Sequence, residues 1–82
     1  MKKAGDIHCN LRRLIKEKEI AEGRELTYEI IRSATGITTS TLSALVNDKT
    51  RRYDAHVLAR LCAYFGCGIG DLLTYVPADE SA

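Results

Sequence analysis

Residues 26–50 read LTYEIIRSATGITTSTLSALVNDKT, and this stretch decides the fold. Its apolar residues recur at helical spacing in two short blocks, with Gly36 in the link between them. Thr27 and Thr38 stand where each block begins, and a hydroxyl there caps the free N–H groups of a helix start. Glycine readily takes the left-handed conformation that ends a helix. The stretch therefore predicts two helices joined by a short, sharp turn over about residues 27–47, which is a helix-turn-helix.

One pattern repeats at four predicted helix starts. In a hydrophobic staple, an apolar residue before the cap packs on another five positions later. The predicted pairs are Leu26 with Ile31, Ile37 with Leu42, Tyr53 with Leu58, and Cys67 with Leu72; the caps are Thr27, Thr38, Asp54 and Gly68. Gly36 and Gly66 are predicted to end the helices that precede them.

The segment from about Asp6 to Ile20 is predicted as the first helix, because its apolar residues share one helical face. These residues are Ile7, Leu11, Leu14 and Ile15. No long alternating run and no Asn-Gly turn indicates a strand. The sequence therefore predicts an all-α fold of five helices.

Length and charge limit the class of protein. The chain has 82 residues, which suits a single domain over 1–82, and the segment 77–82 is predicted to be a flexible tail. No apolar run approaches the roughly 18 residues of a membrane span, so a cytoplasmic protein without a membrane partner is expected.

The net charge is only +1, but residues 32–52 carry +3 and residues 53–82 carry −3. A weakly charged chain can thus still present a basic face.

The chain shows no pattern typical of an enzyme or a metal protein. Cys9, Cys62 and Cys67 form an odd set, which favours free thiols in a reducing cytosol, and their spacing does not match the usual zinc pairs. There is no Gly-rich phosphate loop and no credible nucleophile–base pair. We therefore expect no catalytic residue, no metal, no cofactor and no small-molecule substrate.

The order and spacing of these elements resemble the Cro- and lambda-repressor-like DNA-binding domain, also called the XRE family. The resemblance covers about Leu11 to Pro77 and includes residues 26–50 and the closing GCGIGDLLTYVP. It implies a five-helix fold whose second helix braces the DNA backbone and whose third helix lies in the major groove. Two departures stand out: Tyr28 occupies a position where the family commonly has Gln, and Glu19 to Glu25 look like an insertion that forms a charged loop.

The third predicted helix carries short polar side chains on its outer side. Such a helix can sit deep in a ~12 Å major groove and present donors and acceptors to base edges. The predicted base contacts are Thr39, Ser40, Ser43 and Ala44, the last through a thymine methyl group. The alternative is that these hydroxyls are merely solvated, as expected for ordinary surface serine and threonine.

Charged and hydrogen-bonding residues around this helix suit the DNA backbone, since phosphate contacts need donors held in register. The predicted phosphate contacts are Tyr28, Arg32, Thr38, Asn47, Lys49, Arg51, Arg52 and Tyr53. For Thr38 helix capping is the expected main role, and for Tyr53 it is the staple. The alternative is a solvated loop, with Asn47 or Asp48 simply ending the helix.

These features predict a sequence-specific regulator of transcription that binds double-stranded DNA as a homodimer in a bacterial or phage-type nucleoid, and that represses by blocking polymerase. The predicted dimer contacts are Ile69, Leu72, Leu73, Tyr75 and Val76. Two alternatives stay open: an antitoxin-type protein with a toxin as its protein partner, and a protein-interaction module that has lost DNA binding.

Overall fold

The computed structural model describes residues 3–78. Five helices are flanked by two short strands: β1 (Asp6–Cys9), α1 (Leu11–Glu22), α2 (Tyr28–Thr35), α3 (Thr39–Val46), α4 (Ala55–Phe65), α5 (Ile69–Leu72) and β2 (Leu73–Val76). The five predicted helices are confirmed, but a purely all-α description misses a small sheet. Of the predicted tail 77–82, the last four residues lie outside the described part of the chain.

The helix starts follow their predicted caps. Thr27 accepts a hydrogen bond from the Ile30 N–H at 3.2 Å, and Thr38 accepts one from the Thr41 N–H at 3.2 Å. At α4, one carboxylate oxygen of Asp54 accepts from two backbone N–H groups, at 2.8 and 3.2 Å. Each bond satisfies a donor that the helix itself leaves free.

The turn between α2 and α3 depends on one glycine and one hydroxyl. Gly36 has a φ of +78°, the left-handed conformation predicted for it, and its N–H bonds to the Arg32 carbonyl at 2.7 Å. The Thr35 hydroxyl donates to the Ile31 carbonyl at 2.7 Å and accepts from the Ile37 N–H at 3.2 Å. These bonds satisfy the N–H groups of Gly36 and Ile37, and α3 begins directly after them in a new direction.

The prediction for the first helix was wrong at its start. Asp6–Cys9 is an antiparallel strand paired with β2, with Asp6 opposite Val76 and Cys9 opposite Leu73. The Asn10 N–H extends the hydrogen bonding between β1 and β2 by a 2.7 Å bond to the Leu72 carbonyl. Asn10 thus lies between the end of β1 and the start of α1. Ile7 is consequently 47% exposed, and its helical spacing from Leu11 is a coincidence.

The end of the first helix also differs from the prediction. The charged segment Glu19 to Glu25 was expected to be a loop, but α1 continues to Glu22 and ends at Gly23, whose φ is +66°. The Glu19 carboxylate accepts a hydrogen bond from the Leu26 N–H at 2.8 Å. The apparent insertion thus lengthens α1 and ties it to the start of α2.

One cluster of buried side chains holds these elements together. All eight members of the four predicted staple pairs are buried in this cluster or packed against it. The fully or nearly fully buried residues are Cys9, Leu11, Leu14, Ile15, Leu26, Ile31, Ile37, Leu42, Leu45, Leu61 and Leu72. In the described residues the core is therefore aliphatic apart from Cys9, and it fixes the inner sides of α2 and α3.

Candidate nucleic-acid interface

Helix α3 has two distinct sides. Leu42 and Leu45 are buried in the core, and Ser40 is exposed. The other predicted base contacts, Thr39, Ser43 and Ala44, are half-buried. The outer side of α3 therefore consists of small side chains on a helix whose inner side is fixed by the core, and this shape lets a helix lie deep in a major groove.

Three hydroxyls at the start of α3 and along it already have partners in the protein. The Thr38 hydroxyl caps the helix and donates to the Thr41 hydroxyl at 2.9 Å. The Asn47 amide donates to the Ser43 carbonyl at 2.9 Å and to its hydroxyl at 3.3 Å. Because that hydroxyl accepts from Asn47, its own proton remains available to a base acceptor.

The segment after α3 is basic. Lys49, Arg51 and Arg52 are exposed, and none forms a salt bridge with a carboxylate in the described part of the chain. Tyr53 is half-buried against the core, and its burial raises the pKa of the phenol, which therefore stays protonated as a hydrogen-bond donor. Three unpaired cations on one short segment, named here the basic loop (residues 49–52), suit a phosphate backbone.

Some of the predicted base and phosphate contacts line the same cleft. A cavity of about 470 Å³ opens between the outer side of α3, the basic loop and the first turn of α4. Its lining residues are Ser40, Thr41, Ala44, Leu45, Thr50, Arg52, Tyr53, Asp54, Val57 and Leu58. The structure thus brings two predicted base contacts, Ser40 and Ala44, to the same surface as two predicted phosphate contacts, Arg52 and Tyr53.

The two predicted contacts on α2 are placed differently. Tyr28 is half-buried at the first position of α2, whereas Arg32 is exposed. Arg32 donates to the Glu29 carboxylate at 2.7 and 3.0 Å, and this ion pair lowers the pKa of Glu29 and raises that of Arg32. Arg32 would therefore have to exchange a carboxylate for a phosphate, unlike the cations of the basic loop.

Sequence reasoning missed the distant partners of Asn47 and Asp48 at the end of α3. Arg12, on α1, donates to the Asn47 side-chain carbonyl at 3.2 Å. The Asp48 carboxylate forms a 2.6 Å contact with His8 Nδ1 and accepts from the Cys9 N–H at 3.1 Å. No local pattern indicates these links, because the partners lie at least 35 positions away along the chain.

Asp48 is also unusual in its backbone. Its φ is +59°, and among the described residues it alone combines a positive φ with a side chain. Such a conformation costs about 1–3 kcal/mol and persists only where the surroundings enforce it. The hydrogen bonds from His8 and Cys9 and the nearby charge of Arg51 hold the pKa of Asp48 below its usual range, in that order of importance. The carboxylate is therefore ionised at neutral pH.

The other reactive groups do not form a second site in the described residues. No group of three or more His, Cys, Asp or Glu residues there could hold a metal ion. Burial raises the pKa of the Cys9 and Cys67 thiols, which makes both poor nucleophiles. In the part of the chain that the structure describes, no helix has the length and apolar character needed to cross a membrane.

Comparison with models of protein families agrees with this geometry. A search of curated proteins found no match. The family model of the Cro/C1-type HTH DNA-binding domain matches residues 10–78, which include all five helices and β2. With a helix-turn-helix, a small polar outer side on α3 and a basic loop beside it, the chain belongs to the family of Cro/C1-type helix-turn-helix DNA-binding domains.

Proposed function

We propose that this DNA-binding domain is a sequence-specific transcriptional regulator that inserts α3 into the major groove and acts as a repressor. The observation that carries the proposal is the shared cleft, where small residues of α3 lie beside the basic loop. In this arrangement Thr39, Ser40, Ser43 and Ala44 contact base edges. Repression follows when the bound protein occupies DNA that polymerase needs. The family match does not favour the antitoxin-type protein or the module without DNA binding.

The phosphate contacts in this proposal come from three places. Lys49, Arg51 and Arg52 supply unpaired cations, and Tyr53 supplies a phenol after the loop. Thr38 and Asn47, at the two ends of α3, would have to exchange the bonds that they donate within the protein for bonds to phosphate. Tyr28 and Arg32 would add contacts from α2. Since hydroxyls and small apolar groups read bases permissively, most of the affinity would come from the phosphates and would depend strongly on salt.

The decisive experiment is selection of binding sites from random duplex DNA, followed by affinity measurements on the selected duplex and a scrambled one. An enriched sequence that binds more tightly than the scrambled duplex supports sequence-specific recognition. If no sequence is enriched, or if both duplexes bind equally, the proposal of a specific regulator is wrong.

Arg51→Ala should weaken binding to every duplex by a similar factor, because phosphates carry no sequence information. The slope of log affinity against log salt should become shallower by about one unit for the lost contact. Fluorescence anisotropy over a salt series measures both quantities. Arg24→Ala is the matched control, because Arg24 is an exposed arginine of the α1–α2 link that bonds to Glu22. An unchanged affinity and slope for Arg51→Ala would exclude Arg51 from the interface.

We further propose that the domain binds two half-sites as a homodimer through apolar residues near β2. Ile69, Tyr75 and Val76 are about half exposed, and Leu73 is half-buried. Leu72, also predicted as a dimer contact, is fully buried and serves the core of the single chain.

Sedimentation at micromolar concentration should therefore show a dimer, and Ile69→Ser should weaken it by about ten-fold through lost apolar burial. Ile20→Ser is the control, since Ile20 is the most exposed of the large apolar residues described and lies on α1. A clean monomer that also binds DNA as a monomer would contradict this part of the proposal.

A further inference from the structure

The end of α3 is attached to a remote part of the chain by a single carboxylate. Asp48 Oδ2 lies 2.6 Å from His8 Nδ1, and Asp48 Oδ1 accepts from the Cys9 N–H at 3.1 Å. Since an ionised carboxylate can only accept, His8 Nδ1 must carry the proton of this bond. Both acceptor oxygens of Asp48 are thus used to hold β1.

The backbone of Asp48 closes α3 at the same point. Its N–H bonds to the Leu45 carbonyl at 3.2 Å, and the following N–H of Lys49 bonds to the Ala44 carbonyl at 2.9 Å. These are the two bonds of a Schellman motif, in which the left-handed position is usually a glycine. An aspartate in that position adopts a left-handed backbone less readily than glycine does. Unlike glycine, however, it has a side chain that bonds to β1.

The neighbouring residue adds a second attachment in the same place. The Asn47 side-chain carbonyl accepts from Arg12 at 3.2 Å, which links the end of α3 to α1. Two consecutive residues therefore attach the end of α3 to two different elements. The basic loop begins directly after them, so its starting direction is set by these attachments.

We propose that Asp48 is a positioning residue for DNA binding, which fixes the end of α3 and the start of the basic loop by attaching them to β1. The inference rests on the proposed function of α3 and the basic loop. A loop that is held in its binding arrangement loses less conformational entropy when it meets the phosphates than one that is free. In this arrangement β1 contributes to affinity through Asp48, without touching DNA itself.

Asp48→Gly is the sharpest test, because glycine keeps the left-handed backbone and its capping bonds but removes both bonds to β1. We expect affinity for duplex DNA to fall by about 3- to 30-fold, the range typical of residues that act through others. The salt slope should stay unchanged, since no phosphate contact is lost. A purely electrostatic effect has the opposite sign, because removing a negative charge beside the basic loop strengthens binding to DNA.

Asp6→Asn is the matched control. Asp6 is an exposed carboxylate on β1, the strand to which Asp48 bonds, and it takes no part in the contact with Asp48. It removes the same charge and should not weaken binding. If Asp48→Gly binds as tightly as Asp6→Asn, or more tightly than the wild type, the positioning role is excluded.

His8→Ala removes the shorter of the two bonds between Asp48 and β1 from the other end, and leaves the Cys9 N–H bond and the charge of Asp48 in place. It should weaken DNA binding in the wild-type background and add nothing in the Asp48→Gly background, which is the non-additivity of residues in contact. Additive effects would overturn the proposal. Should Asp48→Gly not fold, His8→Ala alone decides: an affinity equal to that of the wild type refutes the inference.

The failure of this inference can be told apart from failure of the proposed function. If the wild type shows no salt-sensitive binding to duplex DNA, the proposed function itself is wrong. If the wild type binds and Arg51→Ala lowers the salt slope, but His8→Ala and Asp48→Gly leave affinity unchanged, only the role of Asp48 is refuted. Circular dichroism melts of each variant confirm that the compared samples are folded.

Discussion

Leu42→Ala should lower the free energy of unfolding by about 2–5 kcal/mol, because truncating a buried leucine loses apolar contacts and leaves a cavity. Leu42 is 0% exposed and lies in the core cluster on the inner side of α3. In a domain of this size such a loss lowers Tm by roughly 8–40 °C. Urea unfolding and thermal melts followed by circular dichroism measure the two quantities.

The control for this change is Leu42→Met, which conserves volume and should cost less than about 1.5 kcal/mol. A loss below 1 kcal/mol in the alanine variant would mean that α3 does not depend on this contact. Its inner side would then not be fixed as the structure describes.

The double variant Ser40→Ala, Ser43→Ala should lower the affinity for DNA and leave the stability of the fold nearly unchanged. Neither hydroxyl is needed by the core, and alanine favours the helix, so the free energy of unfolding should stay within about 0.5 kcal/mol of the wild type. Affinity for the selected duplex should fall by roughly 1–3 kcal/mol, while affinity for a scrambled duplex stays nearly constant. Anisotropy titrations with both duplexes separate the two effects.

Ser33→Ala, at an exposed position on α2, is the matched control for this double variant. If the double variant keeps full affinity and selectivity for the selected duplex, Ser40 and Ser43 are ordinary solvated residues. Sequence recognition would then have to come from Thr39 and Ala44, or from the shape of the DNA.

The sequence predicted those parts of the fold that depend on neighbouring residues. Caps at Thr27, Thr38 and Asp54 and the left-handed end at Gly36 are each set within a few positions, so their patterns are visible locally. The same holds for the helical spacing of buried and polar residues along α3, which places Leu42 on the inner side and Ser40 on the outer side. These local features were enough to predict the helix-turn-helix.

What the sequence did not predict depends on distant contacts. β1 is a strand because it pairs with residues 73–76, and nothing within Asp6–Cys9 indicates that partner. The sequence allowed Asp48 as a helix end, but it did not indicate the bonds from His8 and Cys9 that hold its side chain. The candidate site was thus predicted by residue type, while the links that hold it in place were not.

Pairing of β1 with β2 has a consequence for how the domain is made. At ~5–20 residues per second, a ribosome needs roughly 3–13 s to proceed from Cys9 to Val76. Helices form from neighbouring residues far faster than this. The helix-turn-helix is therefore synthesised while β1 still lacks its partner strand, and the sheet is the last element that can close.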